Sequence, residues 1–396
     1  VRRLAPLLLV VGAACARSAA VPQPPPVSGD PLALAAPYLD SMVTLDSAAP
    51  GAVLGISVHG KHFYHAAGQL GVGDPQMPDS ASVYDLASLT KVIGLTTALM
   101  IAVDEHRIDL DAPVQRYVPA FTGRDKNKVT IRLLLTHSSG LPAWRALYKD
   151  AVNRAEAFAL ADTTPLDTLP GTRFVYSDLG AIVLTQAVEA VYHERLDSLL
   201  HRRLFAPLGM EDTRYLPPDC WIPRIAPTED DPWRGRVLRG EVHDENASRL
   251  DGVSGHAGLF SSAEDLLHFG DWLLEGLGGG AWIWPAPPEA LRRFVQRQDI
   301  PHGSSRALGW DTPSGLSSGG QWISREHSFG HTGFTGTSIW IDPTRDLVIV
   351  LLSNRVNPTR DNQRWGPVRR NVADRVVEAL EGRRPTVASR QSTVDR

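Results

Sequence analysis

An α/β fold of the α+β type is predicted: one antiparallel sheet assembled from both ends of the chain, flanked by helices, with a mostly helical region inserted between. Three observations predict it. Residues 52–59 and 62–69 are strand-like runs around Gly60-Lys61, a hairpin signal. Residues 110–300 read as helical segments broken by Pro/Gly loops, among them 179–205 and 263–275. Strand chemistry returns at 336–341 and 347–353, joined by Asp342-Pro343-Thr344-Arg345-Asp346, and a helix over about 368–381 closes the pattern. Strands at both ends with helices between them is the order expected of one shared sheet.

Taken in order, residues 1–20 read as an export signal. Arg2 and Arg3 precede an apolar stretch from Leu4 to Ala14, which is too short to span a bilayer. Gly12-Ala13-Ala14-Cys15 resembles the lipobox of bacterial lipoproteins, with Gly12 where Leu is usual. Lipidation of Cys15, which would attach the chain to a membrane, and loss of Cys15 with the signal both stay open. Residues 21–30, with Pro22, Pro24, Pro25 and Pro26, form a semi-rigid spacer. Helical periodicity follows at 32–48, then the first hairpin. A long helix is expected over 88–105, with Leu89, Val92, Ile93, Leu99, Met100 and Val103 at apolar positions. Residues 31–382 form one catalytic unit, with a sheet region at about 31–110 and 300–382 and a helical region at about 111–299. A polar tail, 383–396, ends the chain, and no repeat of solenoid period is present.

Composition narrows the function. With 43% hydrophobic and 21% charged residues among 396, the chain is neither disordered, collagen-like nor a multi-span membrane protein. Net charge is −4; the end segments 1–30 and 383–396 hold seven Arg and two Asp, so residues 31–382 carry −9. That argues against a nucleic-acid partner. The two cysteines, Cys15 and Cys220, permit no cysteine-rich metal cluster, and Cys15 in the export segment leaves no disulfide in the fold. Lysines stand only at 61, 91, 126, 128 and 149, so each can be checked as a candidate base.

Only Lys91 has a serine three residues before it, in Ser88-Leu89-Thr90-Lys91 at the start of the long helix. Positions i and i+3 share a helix face, roughly 5–6 Å apart at Cβ, so the amine can reach the hydroxyl. A serine hydroxyl needs such a neighbour to become a nucleophile, and a helix N-terminus favours developing negative charge. Alone, the pattern is weak, because a helix lysine is more often a solvated charge. Two further stretches follow it: Phe174-Val175-Tyr176-Ser177-Asp178 before a helix, and Gly330-His331-Thr332-Gly333-Phe334 leading into the closing hairpin.

In this order the three motifs resemble those of the penicillin-recognising serine hydrolases, in the branch of class C β-lactamases, low-molecular-weight DD-peptidases and family VIII esterases. The resemblance spans about residues 32–382 and takes in Leu134-Leu135-Thr136-His137-Ser138-Ser139-Gly140-Leu141-Pro142 and Val253-Ser254-Gly255-His256-Ala257-Gly258-Leu259-Phe260. It implies a β-lactamase/transpeptidase-like fold, Ser88 as acylated nucleophile, and Lys91 and Tyr176 as proton relay. The Ser88 and Phe334 amides would form the oxyanion site. Asp178, His331, Thr332, Gly333 and Phe334 would contact substrate, bound as an added strand along 332–334. Of the three Tyr-x-Asp triplets, that at Tyr38 precedes the nucleophile and that at Tyr148 lacks a strand-like approach, so Tyr176 is preferred.

Two departures from the family pattern are informative. Asp178 stands where Asn is usual; ionised, it accepts but cannot donate, and near Lys91 it favours the ammonium, moving the base role towards Tyr176. His331 replaces the lysine of Lys-Thr-Gly and is mostly neutral at neutral pH, so it binds a carboxylate less strongly. That tilts the expectation away from efficient β-lactam hydrolysis.

Competing motifs are weaker. Gly315-Leu316-Ser317-Ser318-Gly319 matches G-x-S-x-G, but a Gly/Ser-rich loop lacks the strand and helix that a nucleophile elbow needs. His59, His62 and His65 read as surface strand histidines rather than metal ligands. His243-Asp244-Glu245-Asn246 fits a cleft-lining loop or a self-bonded polar loop equally, and His256 fits a site or a tight turn. The expectation is a secreted or periplasmic serine hydrolase without metal or organic cofactor. Its substrate would be a peptidoglycan peptide or a small molecule, in a DD-peptidase-like penicillin-binding role with weak β-lactamase activity at most. A carboxylesterase is the main alternative and a non-catalytic wall-ligand binding protein the second.

Overall fold

A computed structural model describes residues 29–279, 287–315 and 317–384. The export signal with Cys15, the proline-rich part of the spacer and the tail beyond Arg384 lie outside the described residues. The elements that build the site are α1 (Ala35–Thr44), β1 (Gly51–Val58), β2 (Lys61–Gly68), α2 (Thr97–Asp104), α3 (Asp178–Tyr192), α4 (Ala263–Gly278), β3 (Phe329–Thr332), β4 (Ser338–Asp342), β5 (Leu347–Ser353) and α5 (Trp365–Leu380).

β1 is a continuous apolar run, and every residue in it is buried. A strand of that kind must be covered on both faces. Ala52, Leu54, Ile56 and Val58 pack with Leu39 and Val43 of α1 and Val368, Val372 and Val376 of α5. Val53, with Val348, Val350 and Leu352 of β5, packs on Ala263, Leu266 and Leu267 of α4. The antiparallel sheet, in order β2-β1-β5-β4-β3, therefore lies between two helical layers. Its central pairing joins opposite ends of the chain, from Ala52 opposite Ser353 to Val58 opposite Leu347.

α4 lies against β5 because Gly270 has no side chain. A Cβ there would stand 2.5 Å from Val348 Cγ1 and 2.7 Å from Val348 Cγ2. Gly270→Ala gains up to about 1 kcal/mol in helix propensity but forces overpacking of about 1–3 kcal/mol. The clash is against a branched, buried side chain and dominates. We expect a net loss of about 1–2 kcal/mol, read as a lower urea midpoint at unchanged slope.

Several sequence expectations shift. The helix expected over 88–105 opens with a wide π-type turn at Lys91–Thr96 before α2, and Lys91 through Ala102 are all buried, so this is a core helix rather than an amphipathic one. The helix expected over 179–205 stops after Tyr192, where His193 takes a left-handed conformation (φ 53°), and resumes at Leu196–Leu200. Gly330 to Thr332 do not merely lead into the closing hairpin: with Phe329 they form edge strand β3, paired from Phe329 opposite Ile341 to Thr332 opposite Ser338. Four residues ending in His-Thr carry no strand signal; pairing with β4 makes them one. Among the described residues Cys220 is exposed and unpaired. Among the described residues no helix is long and apolar enough to cross a membrane.

Candidate active site

Ser88 follows a strained turn. Strand Tyr84–Asp85 pairs with Leu259–Ser261, and the chain then bends through Ala87 at φ 45°, a left-handed value that non-glycine residues rarely adopt. Asp85 holds the bend: its buried carboxylate accepts from the Ala87 amide at 2.8 Å and from the His243 amide at 2.7 Å. The Thr335 and Thr337 hydroxyls donate to the carbonyls of Asp85 and Leu86 at 2.7 and 2.9 Å, tying this turn to the β3–β4 connection. Gly333 fits between them only because a Cβ would lie 2.1 Å from Thr337 Oγ1 and 2.4 Å from the Leu86 carbonyl oxygen.

Lys91 points back along its helix to Ser88, Nζ to Oγ 2.9 Å. It also donates to the His256 carbonyl at 3.1 Å and lies 2.7 Å from Asp178 Oδ1. Lys91 is only 3% exposed. Burial pulls its proton affinity down, but the Asp178 carboxylate and the Tyr176 hydroxyl outweigh that, and the net shift is upward. Lys91 is therefore an ammonium at neutral pH.

Tyr176 is positioned by His137, from the Leu134–Pro142 stretch. His137 takes the amide of Val175 on its carbonyl (2.9 Å) and the amide of Ser177 on Nδ1 (3.1 Å), and its ring stands 4.5 Å from the Tyr176 ring. Ser177 caps α3, which puts Asp178 in the first helical turn facing Lys91. The Tyr176 ring centroid is 4.9 Å from Lys91 Nζ, and its hydroxyl is buried facing that ammonium.

His331 sits beside the Tyr176 ring, centroids 5.7 Å apart, and is 4% exposed. Its Nδ1–H donates to the Thr332 carbonyl at 2.8 Å, leaving Nε2 as a buried lone pair without partner. Burial, and after it the charges of Arg306 and Lys91, hold it well below the ordinary histidine range. His137 is depressed in the same way, burial first and then Arg306 and Lys91. Both rings are neutral in the folded protein. The outer edge of β3 is taken at Gly330 by Asp311, so a strand-like substrate has the edge only beyond that residue. Phe334, 48% exposed, stacks on His243 at 5.7 Å. Neither the Ser88 nor the Phe334 amide donates to another group among the described residues.

Two cavities of about 340 Å³ each meet at Ser88, Tyr176 and Phe334. One is lined by His331, Thr332 and Gly333 with Arg306, Arg355, Arg369 and Asp311. The other is lined by Trp144, Asp178, His243, Asp244, Glu245, His256 and Arg360. The site thus gathers all eight residues singled out in the sequence. Asp85, His137, the His256 carbonyl and the three arginines were not among them: no local pattern marks a buried capping Asp, a carbonyl ligand or an arginine reaching in from a distant element.

The remaining candidates fall into place. His59, His62 and His65 each meet a different aspartate, Asp346, Asp271 and Asp40, and share no ligand centre. Residues around Ser317 form turns, with Gly319 donating to Ser317 Oγ, and Leu316 lies outside the described residues. Tyr38 bonds Asn371 of α5, and Tyr148 meets Trp233 edge to face, so neither belongs to the Ser88 cluster. His243 both lines the cleft and bonds Glu229 at 2.9 Å; His256 is buried between Ser254 and Asp244.

The neutral histidines set a pH dependence. Their folded pKa lies below the unfolded value of about 6.5, so between those values the unfolded chain binds more protons and stability falls as pH drops below about 6.5. Each group contributes at most about 1.4 kcal/mol per pH unit. Asp162 and Asp265, which burial raises to about 6, titrate in the same range with opposite sign. The effect is therefore read as a difference: Tm of the wild type should fall more steeply from pH 7 to 5 than that of His331→Gln.

Comparison with known proteins bears on the family and the fold. A sequence model of the β-lactamase family matches residues 35–374. A putative D-alanyl-D-alanine carboxypeptidase of Salmonella typhimurium is 30% identical over 315 residues, 72% of each chain. A penicillin-binding protein homologue from Caulobacter crescentus superposes with TM-score 0.71 at 18% identity, covering 90% of this chain and 99% of its own. A β-lactamase from Sulfitobacter sp. EE-36 does so with TM-score 0.70 at 22% identity, covering 90% and 99%. This chain belongs to the β-lactamase family and is a serine hydrolase.

Proposed function

We propose that the chain is an exported D-alanyl-D-alanine carboxypeptidase-type hydrolase working through an acyl-enzyme on Ser88. The observation that carries the chemistry is Ser88 Oγ held 2.9 Å from a buried Lys91 that also faces the Tyr176 hydroxyl. Ser88 Oγ attacks the scissile carbonyl carbon while its proton passes to Tyr176 Oη, which hands its own proton on to the scissile nitrogen. The fixed Lys91 ammonium offsets the charge that this exchange moves between oxygens. The oxyanion forms at the amides of Ser88 and Phe334. The C–N bond then breaks with the leaving amine protonated, and water releases the acyl group by the reverse relay, its proton passing to Tyr176 Oη as Tyr176 returns one to Ser88 Oγ. Lys91, already protonated, is not the base in this scheme.

The substrate class is supported by the carboxypeptidase named among the relatives and by the cationic cavity beside Ser88. Export through residues 1–20 fits a wall-peptide substrate, with Cys15 either lipidated or removed. The test compares kcat/KM for a D-Ala-D-Ala peptide, a p-nitrophenyl ester and a chromogenic cephalosporin. Peptide cleavage releasing D-Ala is expected, with slow cephalosporin turnover; turnover of the ester alone would overturn the peptidase reading in favour of an esterase.

A further inference from the structure

Residues 333–337 connect β3 to β4, and their carbonyls are held from behind. α5 reaches this connection twice from one face, because Trp365 and Arg369 stand four residues apart on the helix. Trp365 Nε1–H donates to the Gly336 carbonyl at 2.6 Å, and Arg369 Nη2 donates to the Gly333 carbonyl. Between them, Arg355 Nε donates to the Phe334 carbonyl at 2.9 Å. The Gly333 carbonyl also accepts from the Gly336 amide, at a longer 3.2 Å. That carbonyl and the Phe334 N–H belong to one peptide group. The bond is trans, so the two point in opposite directions, and whatever fixes the carbonyl fixes the N–H.

We infer that Arg369 is a positioning residue for the oxyanion site: by holding the Gly333 carbonyl it aims the Phe334 N–H and strengthens it as a donor. This rests on the acyl-transfer reading of Ser88, which gives that N–H to the oxyanion. A guanidinium makes a charge-assisted hydrogen bond, stronger than a neutral one. Such a bond at the carbonyl end of a peptide polarises the group and makes its N–H the better donor. Gly333 supplies no side chain to resist rotation of its backbone. Without Arg369 its carbonyl keeps only the longer bond from Gly336, and the peptide is free to turn its oxygen towards the cleft. An oxygen there repels the charge that an N–H would stabilise.

Two p-nitrophenyl esters of one acid test this, an ordinary ester and its thiono analogue, in which sulfur replaces the carbonyl oxygen. Sulfur accepts hydrogen bonds weakly, so an aimed N–H favours the oxygen ester. Neither ester carries a carboxylate, so recognition of an anion does not enter. After division by the same ratio for hydroxide, the wild type should favour the oxygen ester in kcat/KM by roughly a hundredfold, the scale of one oxyanion donor. The ratio should fall about tenfold or more in Arg369→Met and recover in part in Arg369→Lys. Arg369→Gln, with its shorter side chain, replaces the methionine variant should that fail to fold. A loss of packing alone slows both esters alike and leaves the ratio unchanged. A high wild-type ratio that persists in Arg369→Met overturns this inference and leaves the acyl-enzyme reading standing. A wild-type ratio equal to that of hydroxide overturns it by removing the oxyanion site through which it acts. A wild type that cleaves neither ester overturns the acyl-transfer reading and this inference with it.

Discussion

Ser88→Ala yields a folded protein that takes up neither a labelled penicillin nor a fluorophosphonate, whereas the wild type gains one covalent mass increment on Ser88. The expected loss of turnover is on the order of a thousandfold to a millionfold, as when a nucleophile acting as part of a unit is removed. What remains would come from binding and from the oxyanion amides. Folding should survive, because Ser88 Oγ accepts a single hydrogen bond, from Lys91, and Lys91 keeps its contacts with Asp178 and the His256 carbonyl. Intact-mass spectrometry checks the result. An adduct that persists in the variant would remove Ser88 from its role, and a wild type that labels with neither probe would favour the non-catalytic binding alternative.

Asp178→Asn displaces the pH–rate profile. The carboxylate 2.7 Å from Lys91 Nζ is the leading influence that holds the lysine above its ordinary range against burial. With Asn in its place burial prevails, and Lys91 gives up its proton at lower pH. If the ammonium is the form that assists Tyr176, the alkaline limb of kcat/KM moves down by at least roughly one pH unit. The acylation rate at neutral pH falls with it. Tyr176→Phe, which removes the exchanging oxygen but keeps the ring and its contacts with His137 and His331, should cost about a hundredfold to ten-thousandfold. An unchanged profile and acylation rate in Asp178→Asn would return the base role to Lys91.

The parts of the site that could be read in the sequence are those in which the chemistry and its placement are local. Ser88 and Lys91 are one helical turn apart, so their encounter follows from helix geometry. Asp178 follows a serine that caps its helix, and both strands of the first hairpin bracket a turn that marks itself with Gly60. The edge strand Phe329–Thr332 was illegible because its pairing with Ser338–Asp342 is a tertiary event. The break after Tyr192 depends on one left-handed residue, His193, that no Gly or Pro announces.

By itself, then, the sequence determined the alternating ends-and-middle architecture, the pairing of Ser88 with Lys91 and the absence of a lysine in the third motif. Tertiary structure decided the protonation and polarity of the site. Lys91 is an ammonium because α3 brings a carboxylate to it inside a buried pocket. His331 is a neutral acceptor because its proton is committed to Thr332 and its ring is buried beside Arg306 and Lys91. Arg306, Arg355 and Arg369, distant in the chain from Ser88, line the cavity beside it. Charge state is set by burial and by neighbours, and neighbours distant in the chain are known only once it has folded.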